Sequence, residues 1–388
     1  MGGSARQEAP RCPLLPDGDL RPFDAAAKKS AFTASDATHL RTKACTSCGT
    51  RATGWSSRIC TNSHRWREHS CGKGSDVNGP RRIDVHHHVV PPSYGQWLRD
   101  RGLAAGGLPI PDWSPEASLE LMDERGMETA ILSVSTPGVH LGDDAEARAR
   151  ARELNDYVAK VVHDHPTRFG LFATLTLPDV DGALAELTYA FDTLRADGVV
   201  LLANSRGLYL GDPRFDPLFG ELNRRKAVVF VHPSTLPGIE PLPGVPAFVA
   251  DFLLDTTRAA IGLARSGTLD RCPDLKVILS HAGGFVPYAA YRIAVAASAA
   301  GNPLEGIACL KRFYFDTALS SSPTALPSLL AFAEPHHVLF GSDFPYAPAG
   351  AVAAFSRLYE SFPLPGVQRT SIDRSAAERL FPRLRRER

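Results

Sequence analysis

The sequence predicts an α/β fold, a closed (β/α)8 (TIM) barrel, preceded by a mostly irregular N-terminal extension. Three observations lead there. Eight short runs dominated by Val, Ile, Leu and Phe recur between residues 81 and 345, and near-continuous apolar runs indicate parallel strands buried on both faces. Segments of helical length separate them, and strand–helix alternation repeated in this way favours a barrel. The first run lacks a following GxGxxG, the fingerprint of the competing doubly wound dinucleotide-binding sheet.

In order, the runs are RRIDVHHH (81–88), ETAILSVS (128–135), FGLFATLTL (169–177), GVVLLANS (198–205), AVVFVHP (227–233), KVILSHAGG (276–284), RFYFDTA (312–318) and HVLFGSDFP (337–345). Residues 143–166, DDAEARARARELNDYVAKVVHDHP, read as the helix after the second run. DGALAELTYAFDTLRADG, residues 181–198, reads as the helix after the third, with Gly198 placed as its stop signal. The stretch VVPPSYGQWLRDRGLAAGGLPIPDWSPE, residues 89–116, is too long and too rich in Gly and Pro for a simple turn. Long loops at the C-terminal face of a barrel bind substrate or act as lids. Tyr94, Trp97 and Trp113 within it either stack on a planar substrate or anchor the loop.

Composition sets outer bounds. With 388 residues, 44% hydrophobic and 22% charged, the chain has the make-up of a soluble globular protein with a sizeable core. A net charge of +1 points to neither nucleic acid nor an anionic membrane. No apolar run approaches the ~20 residues of a transmembrane helix. MGGSARQEAPRCPLLPDGDL lacks the charged-then-apolar order of a secretory signal, so a cytoplasmic location is expected.

The chain divides into a low-order extension, residues 1–80, and a catalytic barrel, residues 81–388. The extension is poor in Ile, Leu and Val and holds Cys12, Cys45, Cys48, Cys60 and Cys71. Cys45-x2-Cys48 with His64-x4-His69 has the loose spacing of a Cys2His2 zinc site, but no apolar framework lies between them. A zinc-dependent nucleic-acid-binding module built on those cysteines is disfavoured by the neutral charge and the lack of a basic helix. Cys272 and Cys309 are too isolated to form a disulfide framework.

The unusual polar residues fall where a barrel keeps its active site, at the C-terminal strand ends. His86 and His88 end the first run and share a face of the strand, whereas His87 points away. His232 ends the fifth run, His281 the sixth and Asp343 the eighth. In a closed barrel these positions converge on one cavity. Imidazoles and a carboxylate suit one divalent metal, zinc first, with manganese or iron(II) as alternatives. The fourth strand ends in LLANSRG, with Asn204 and no lysine that carboxylation could turn into a bridge for a second metal. Asp84, two residues before His86, is placed on the same face deeper in the barrel, where it orients an imidazole or simply starts a buried strand. Asp316, at the end of the seventh run, has the same two readings. Phe285 and Tyr288, after His281, either line the pocket or pack.

The order HxH after the first strand, His in FVHP, His in LSHAGG and Asp in GSDFPY resembles the amidohydrolase superfamily. More narrowly it resembles the aminocarboxymuconate-semialdehyde decarboxylase-like branch, which holds aromatic acid decarboxylases of the resorcylate and 6-methylsalicylate type. The resemblance covers residues 82–384. LGDPRFDPLFGELNRRKAVVFVHP and DTTRAAIGLARSGTLDRCPDLKVILSHAGG are similar to the 6-methylsalicylate decarboxylase-like members in particular.

The resemblance implies metal ligation by His86, His88, His232 and Asp343, with His281 as the acid–base beside the open coordination site. It also implies that Arg292, eleven residues beyond His281, reaches across a homodimer interface to the substrate carboxylate; its other reading is a solvated helix arginine. A guanidinium suits a carboxylate through its paired, planar donors.

The reaction so implied is a metal-dependent, non-oxidative decarboxylation, a lyase reaction, of a small ortho-hydroxy aromatic or related conjugated carboxylic acid. Asp343, protonated, or His281 delivers a proton to the ipso carbon; in the muconate-type variant His281 instead activates a water that adds to a double bond. The alternative is a mononuclear metal-dependent hydrolase of a lactone, ester or amide, against which Arg292 weighs because it favours a carboxylate-bearing substrate.

Overall fold

The structure is a computed structural model and describes residues 81–298 and 301–385. The candidate zinc motif of Cys45, Cys48, His64 and His69 lies outside the described residues. Eight parallel strands follow one another round a barrel in chain order: β1 (Arg82–His88), β2 (Met127–Ser133), β3 (Phe169–Thr174), β4 (Gly198–Leu202), β5 (Val228–His232), β6 (Lys276–Leu279), β7 (Tyr314–Asp316) and β8 (Val338–Leu339). The ends of the sheet meet. Val85 N donates to Phe340 O at 3.0 Å and Asp343 N donates to His86 O at 2.7 Å, so the chain beyond β8 closes the barrel against β1.

The outer layer is helical: α1 (Pro92–Asp100), α2 (Pro115–Arg125), α3 (Asp144–Asp164), α4 (Val180–Asp192), α5 (Asp216–Arg224), α6 (Asp251–Arg265), α7 (Val286–Ala297), α8 (Ala325–Phe332) and α9 (Ala349–Ser361) are its main members. Ala147, Ala151, Leu154, Val158 and Val161 bury one stripe of α3, the three-and-four spacing of a helix packed on a sheet. Asp143 starts it by accepting from Glu146 N at 2.7 Å, which satisfies one of the free amides of the first turn. None of the described helices is long and apolar enough to cross a membrane.

Two local departures from the sequence pattern position the site. The first is Gly198, which opens β4 instead of stopping a helix; α4 already ends at Asp192. A Cβ on Gly198 would lie 2.4 Å from Val228 O and 3.0 Å from the Phe172 ring, so strand packing demands the glycine.

The second is a bulge in β1. Asp84 pairs with Ala130 and His87 with Leu132, three residues of β1 against two of β2. Ile83 and Val85 therefore face the barrel interior with Ile131, Phe172, Phe230 and Ile278, above a floor of Phe381 and Leu384, yet His86 and His88 also turn inward. A bulge re-aims side chains in this way. It also moves Asp84 to the side of His87, so the expectation that Asp84 shares the face of His86 is corrected.

Arg82 ties this frame together. It is 2% exposed, its Nε donates to Asp373 at 3.1 Å and its Nη2 to Glu360 at 2.9 Å. The guanidinium also lies 5.0 Å from the Phe340 ring and 5.4 Å from that of Tyr359. Replacing it with alanine would leave Asp373 buried without its counter-charge. We expect Arg82→Ala to lose about 3–5 kcal/mol of stability, read as a lowered urea midpoint; a loss below about 1 kcal/mol would contradict this account.

Candidate metal centre and active site

Four ligand-competent atoms, one each from His86, His232, His281 and Asp343, lie within 4.8 Å of one another, and all four residues are buried. His88 joins them: its Nε2 is 3.1 Å from His86 Nε2 and 3.1 Å from Asp343 Oδ1. All five strand-end residues singled out in the sequence thus meet at one point. They come from the ends of β1, β5, β6 and β8, and His86 rests on the interior Phe230 ring at 4.9 Å.

Each of three imidazoles is held by its far nitrogen. His86 Nδ1 lies 2.7 Å from Asp316 Oδ2, His88 Nδ1 lies 3.0 Å from Ser133 Oγ, and His232 Nδ1 lies 2.8 Å from Pro233 O. Such partners fix ring orientation and tautomer and leave Nε2 free to ligate. His281 differs, because its buried Nδ1 has no hydrogen-bond partner among the described residues. Its Nε2 lies 3.5 Å from Asp343 Oδ2.

The electrostatics follow from burial and from the two carboxylates. Burial lowers the pKa of His88, which Asp343 only partly offsets. Burial and the neighbouring imidazoles of His88, His86 and His281 hold His232 well below its ordinary value. Both rings are therefore neutral, the form that binds metal. Burial opposes a charge on His86, but Asp316 and Asp343 outweigh it and raise its pKa to about 10; a divalent ion at this point would take the place of that proton. Asp343 is held well below the carboxylate range: burial works against ionisation, and His86, His281 and His88 overcome it. Anionic oxygen and oriented imidazole nitrogen aimed at a common point fit a divalent metal, and this donor set is the buried His/Asp metal-binding site of the chain.

Backbone strain marks the same residues. His281 and Asp343 have φ of 52° and 65°, a left-handed conformation costing on the order of 1–3 kcal/mol for each residue. Gly341, just before, lets β8 approach β1: an added Cβ would sit 2.9 Å from His86 Cβ.

Other sequence candidates settle on both sides. Asp316 is the carboxylate that orients a metal-site imidazole; it also accepts from His281 N at 2.9 Å. Asp84 accepts from His87 Nδ1 at 3.0 Å and from Ser342 Oγ at 2.6 Å, so it braces the neighbouring strand. Asn204 turns to Asp255 at 2.9 Å, away from the cluster. Tyr94, Trp97 and Trp113 are buried anchors: they donate to Gly138 O, Glu146 and Ser118 Oγ, respectively. Phe285 and Tyr288 line the cavity beside the cluster, and Arg292 does not line it. Arg292 is exposed on α7.

Sequence reasoning missed Tyr346, whose buried hydroxyl has no partner among the described residues and whose ring meets His88 edge-on at 5.4 Å. Its place in GSDFPY, three residues after Asp343, was the available signal.

A family model described as amidohydrolase matches residues 83–383. The chain belongs to that family. Decarboxylase yanB of Aspergillus niger is 41% identical over 322 residues, covering 78% of this chain and 88% of its own. The 6-methylsalicylic acid decarboxylase of Penicillium expansum is 40% identical over 314 residues, covering 78% and 97%. The crystal structure of 2,6-dihydroxybenzoate decarboxylase with 2,6-dihydroxybenzoate superposes with a TM-score of 0.67 at 25% identity, over 78% of this chain and 99% of that one.

Asp316→Asn should keep the fold but weaken the hold on His86. Metal affinity should drop about 10–100-fold in a calorimetric titration of metal-stripped protein with Zn²⁺ or Mn²⁺. Unchanged affinity would remove Asp316 from the metal site.

Proposed function

We propose that the protein is a metal-dependent, non-oxidative decarboxylase of an ortho-hydroxy aromatic acid of the 6-methylsalicylate kind. The observation that carries the division of labour is the unequal anchoring of the imidazoles. His86, His88 and His232, each fixed at Nδ1, hold the metal with Asp343, whereas His281, with Nδ1 free of partners, moves protons. The relatives named above support the reaction class. Zinc fits these nitrogen and oxygen donors, and manganese is the alternative.

When bound, the ion supplies a Lewis acid and a template for the substrate's oxygens. The rest falls to the chain. Losing CO2 directly from an sp2 ring carbon would leave a carbanion in the ring plane, so the ipso carbon must first be protonated. His281 Nε2, 3.5 Å from Asp343 Oδ2, borders the cavity and is placed to deliver that proton, with the Asp343 carboxylate facing it. A C–H bond forms and the ring loses aromaticity; the C–C bond then breaks, its electrons return to the ring, and CO2 leaves. The buried Tyr346 hydroxyl is available to a substrate oxygen.

Among the described residues the cavity lining contains no lysine or arginine, although a carboxylate must enter beside Asp343. On α7, Arg292 stands among Tyr288, Tyr291 and Val295, which are 86%, 80% and 55% exposed. Exposed apolar side chains gathered round a cation with no partner among the described residues suit an interface. The enzyme is a homodimer in this reading, each Arg292 serving the partner's cavity, and it works in the cytoplasm. The catalytic unit in this reading is residues 81–388.

Purified, metal-loaded protein should release CO2 from 6-methylsalicylate. Turnover of esters or lactones without CO2 from any salicylate would favour a hydrolase instead. His281→Ala should retain stoichiometric metal but lose about 10²–10⁴-fold in kcat; near-wild-type kcat would exclude His281 from proton transfer. Arg292→Ala should raise KM about 10–100-fold, the worth of a charged hydrogen bond, and light scattering should report a dimer. A monomer with unchanged KM would overturn the role given to Arg292.

A further inference from the structure

The cavity at the barrel mouth measures about 980 Å³, near the top of the roughly 300–1,000 Å³ range of pockets that enclose drug-sized ligands. A single-ring acid bearing one methyl group fills only a fraction of it. The groups that suit the reacting end, His232, His281, Asp343 and Tyr346, sit together. Elsewhere the cavity runs along the N-terminal halves of α8 and α9 and the turns before them, where Leu319, Ala325, Leu329, Ala347, Ala351 and Phe355 line it. None of these six is ionisable, the interleaved Ser320, Thr324 and Ser328 bring hydroxyls but no charge, and Leu329 and Ala347 are buried within this chain alone. The space exists because three of them are alanines, on or beside two helices; longer side chains there would fill it. Ala105, Phe252 and Ala282 add further buried apolar lining, whereas Val249 and Tyr288, 53% and 86% exposed, form the outer rim.

We propose that the branch between α8 and α9 is a subsite for an apolar chain carried by the aromatic ring, so that the preferred substrate is an alkyl- or alkenyl-substituted salicylate longer than the 6-methyl compound. The inference rests on the decarboxylase reading and extends it to the substrate class. Water in a branch without charged groups gains little there, and an alkyl chain that displaces it removes apolar surface from solvent on both sides. Each methylene buried strengthens binding about fourfold. The gain is limited by the length of the branch, because overfilling a packed site is itself unfavourable.

The test compares salicylates carrying methyl, propyl or pentyl groups at ring carbon 6, using the metal-loaded full-length enzyme. We expect kcat/KM to rise with chain length by about fourfold per methylene until the branch is full. In Ala351→Phe, and independently in Ala325→Phe, the pentyl-to-methyl ratio of kcat/KM should fall at least tenfold. Two positions on separate helices guard against one variant that folds badly. Calorimetric binding of the same acids to wild type reads the subsite without turnover, and tightening with chain length supports the proposal. Affinity and kcat/KM that are greatest for the methyl acid would overturn it, as would both Phe variants lowering methyl and pentyl turnover equally. Absence of CO2 from every acid, with binding still tightening along the series, would count against decarboxylation alone.

Discussion

One buried carboxylate organises the active end of this barrel. Asp316, at the last position of β7, faces His86 Nδ1 at 2.7 Å and accepts from His281 N at 2.9 Å and Ala318 N at 3.0 Å. It therefore joins β1, the turn after β6 and its own strand through a single group that is fully shielded from water. A buried anion is tolerable only when its oxygens are satisfied, and here the satisfying groups are the ones that must be fixed for chemistry. The strained backbone at His281 and Asp343 persists because such contacts, together with strand closure, over-determine it.

The barrel and most of its centre were legible in the chain. Parallel strands buried on both faces leave a one-dimensional trace, apolar runs of even length, and their C-terminal ends are where histidine and aspartate stand out. What was not legible depends on register and on space. No local signal announces that β1 carries a bulge, so alternation counted from His86 put Asp84 on the wrong side. Gly198 looked like a helix stop because its true neighbour, Val228 O, is thirty residues away in the chain. The aromatic residues of the long loop after β1 are suited both to stacking and to anchoring, and only the positions of Gly138, Glu146 and Ser118 decide for anchoring. Tyr346 could be seen but not interpreted, since an unpartnered hydroxyl is a property of the fold rather than of a motif.

Charge and shape in the cavity work together. His232, His281, Asp343 and Tyr346 gather at the metal-binding end, and a substrate seated against the apolar remainder displaces water from the place where the proposed reaction moves a proton. In such surroundings hydrogen bonds and charges act more strongly than in water, so small displacements of His281 relative to Asp343 matter more than their exposed counterparts would.

The ion pair at the foot of β1 has a consequence for the order in which the protein can be built. Arg82 and Asp373 are separated by 291 residues, so the first barrel strand leaves the ribosome long before its counter-ion and its closing neighbour have been synthesised. Until then one edge of β1 is an open row of peptide groups bearing a buried-type arginine and three histidines, and unpaired strand edges invite wrong partners. Closure is therefore a late, long-range event. The nascent chain must keep its first barrel strand soluble while most of the remaining chain is made.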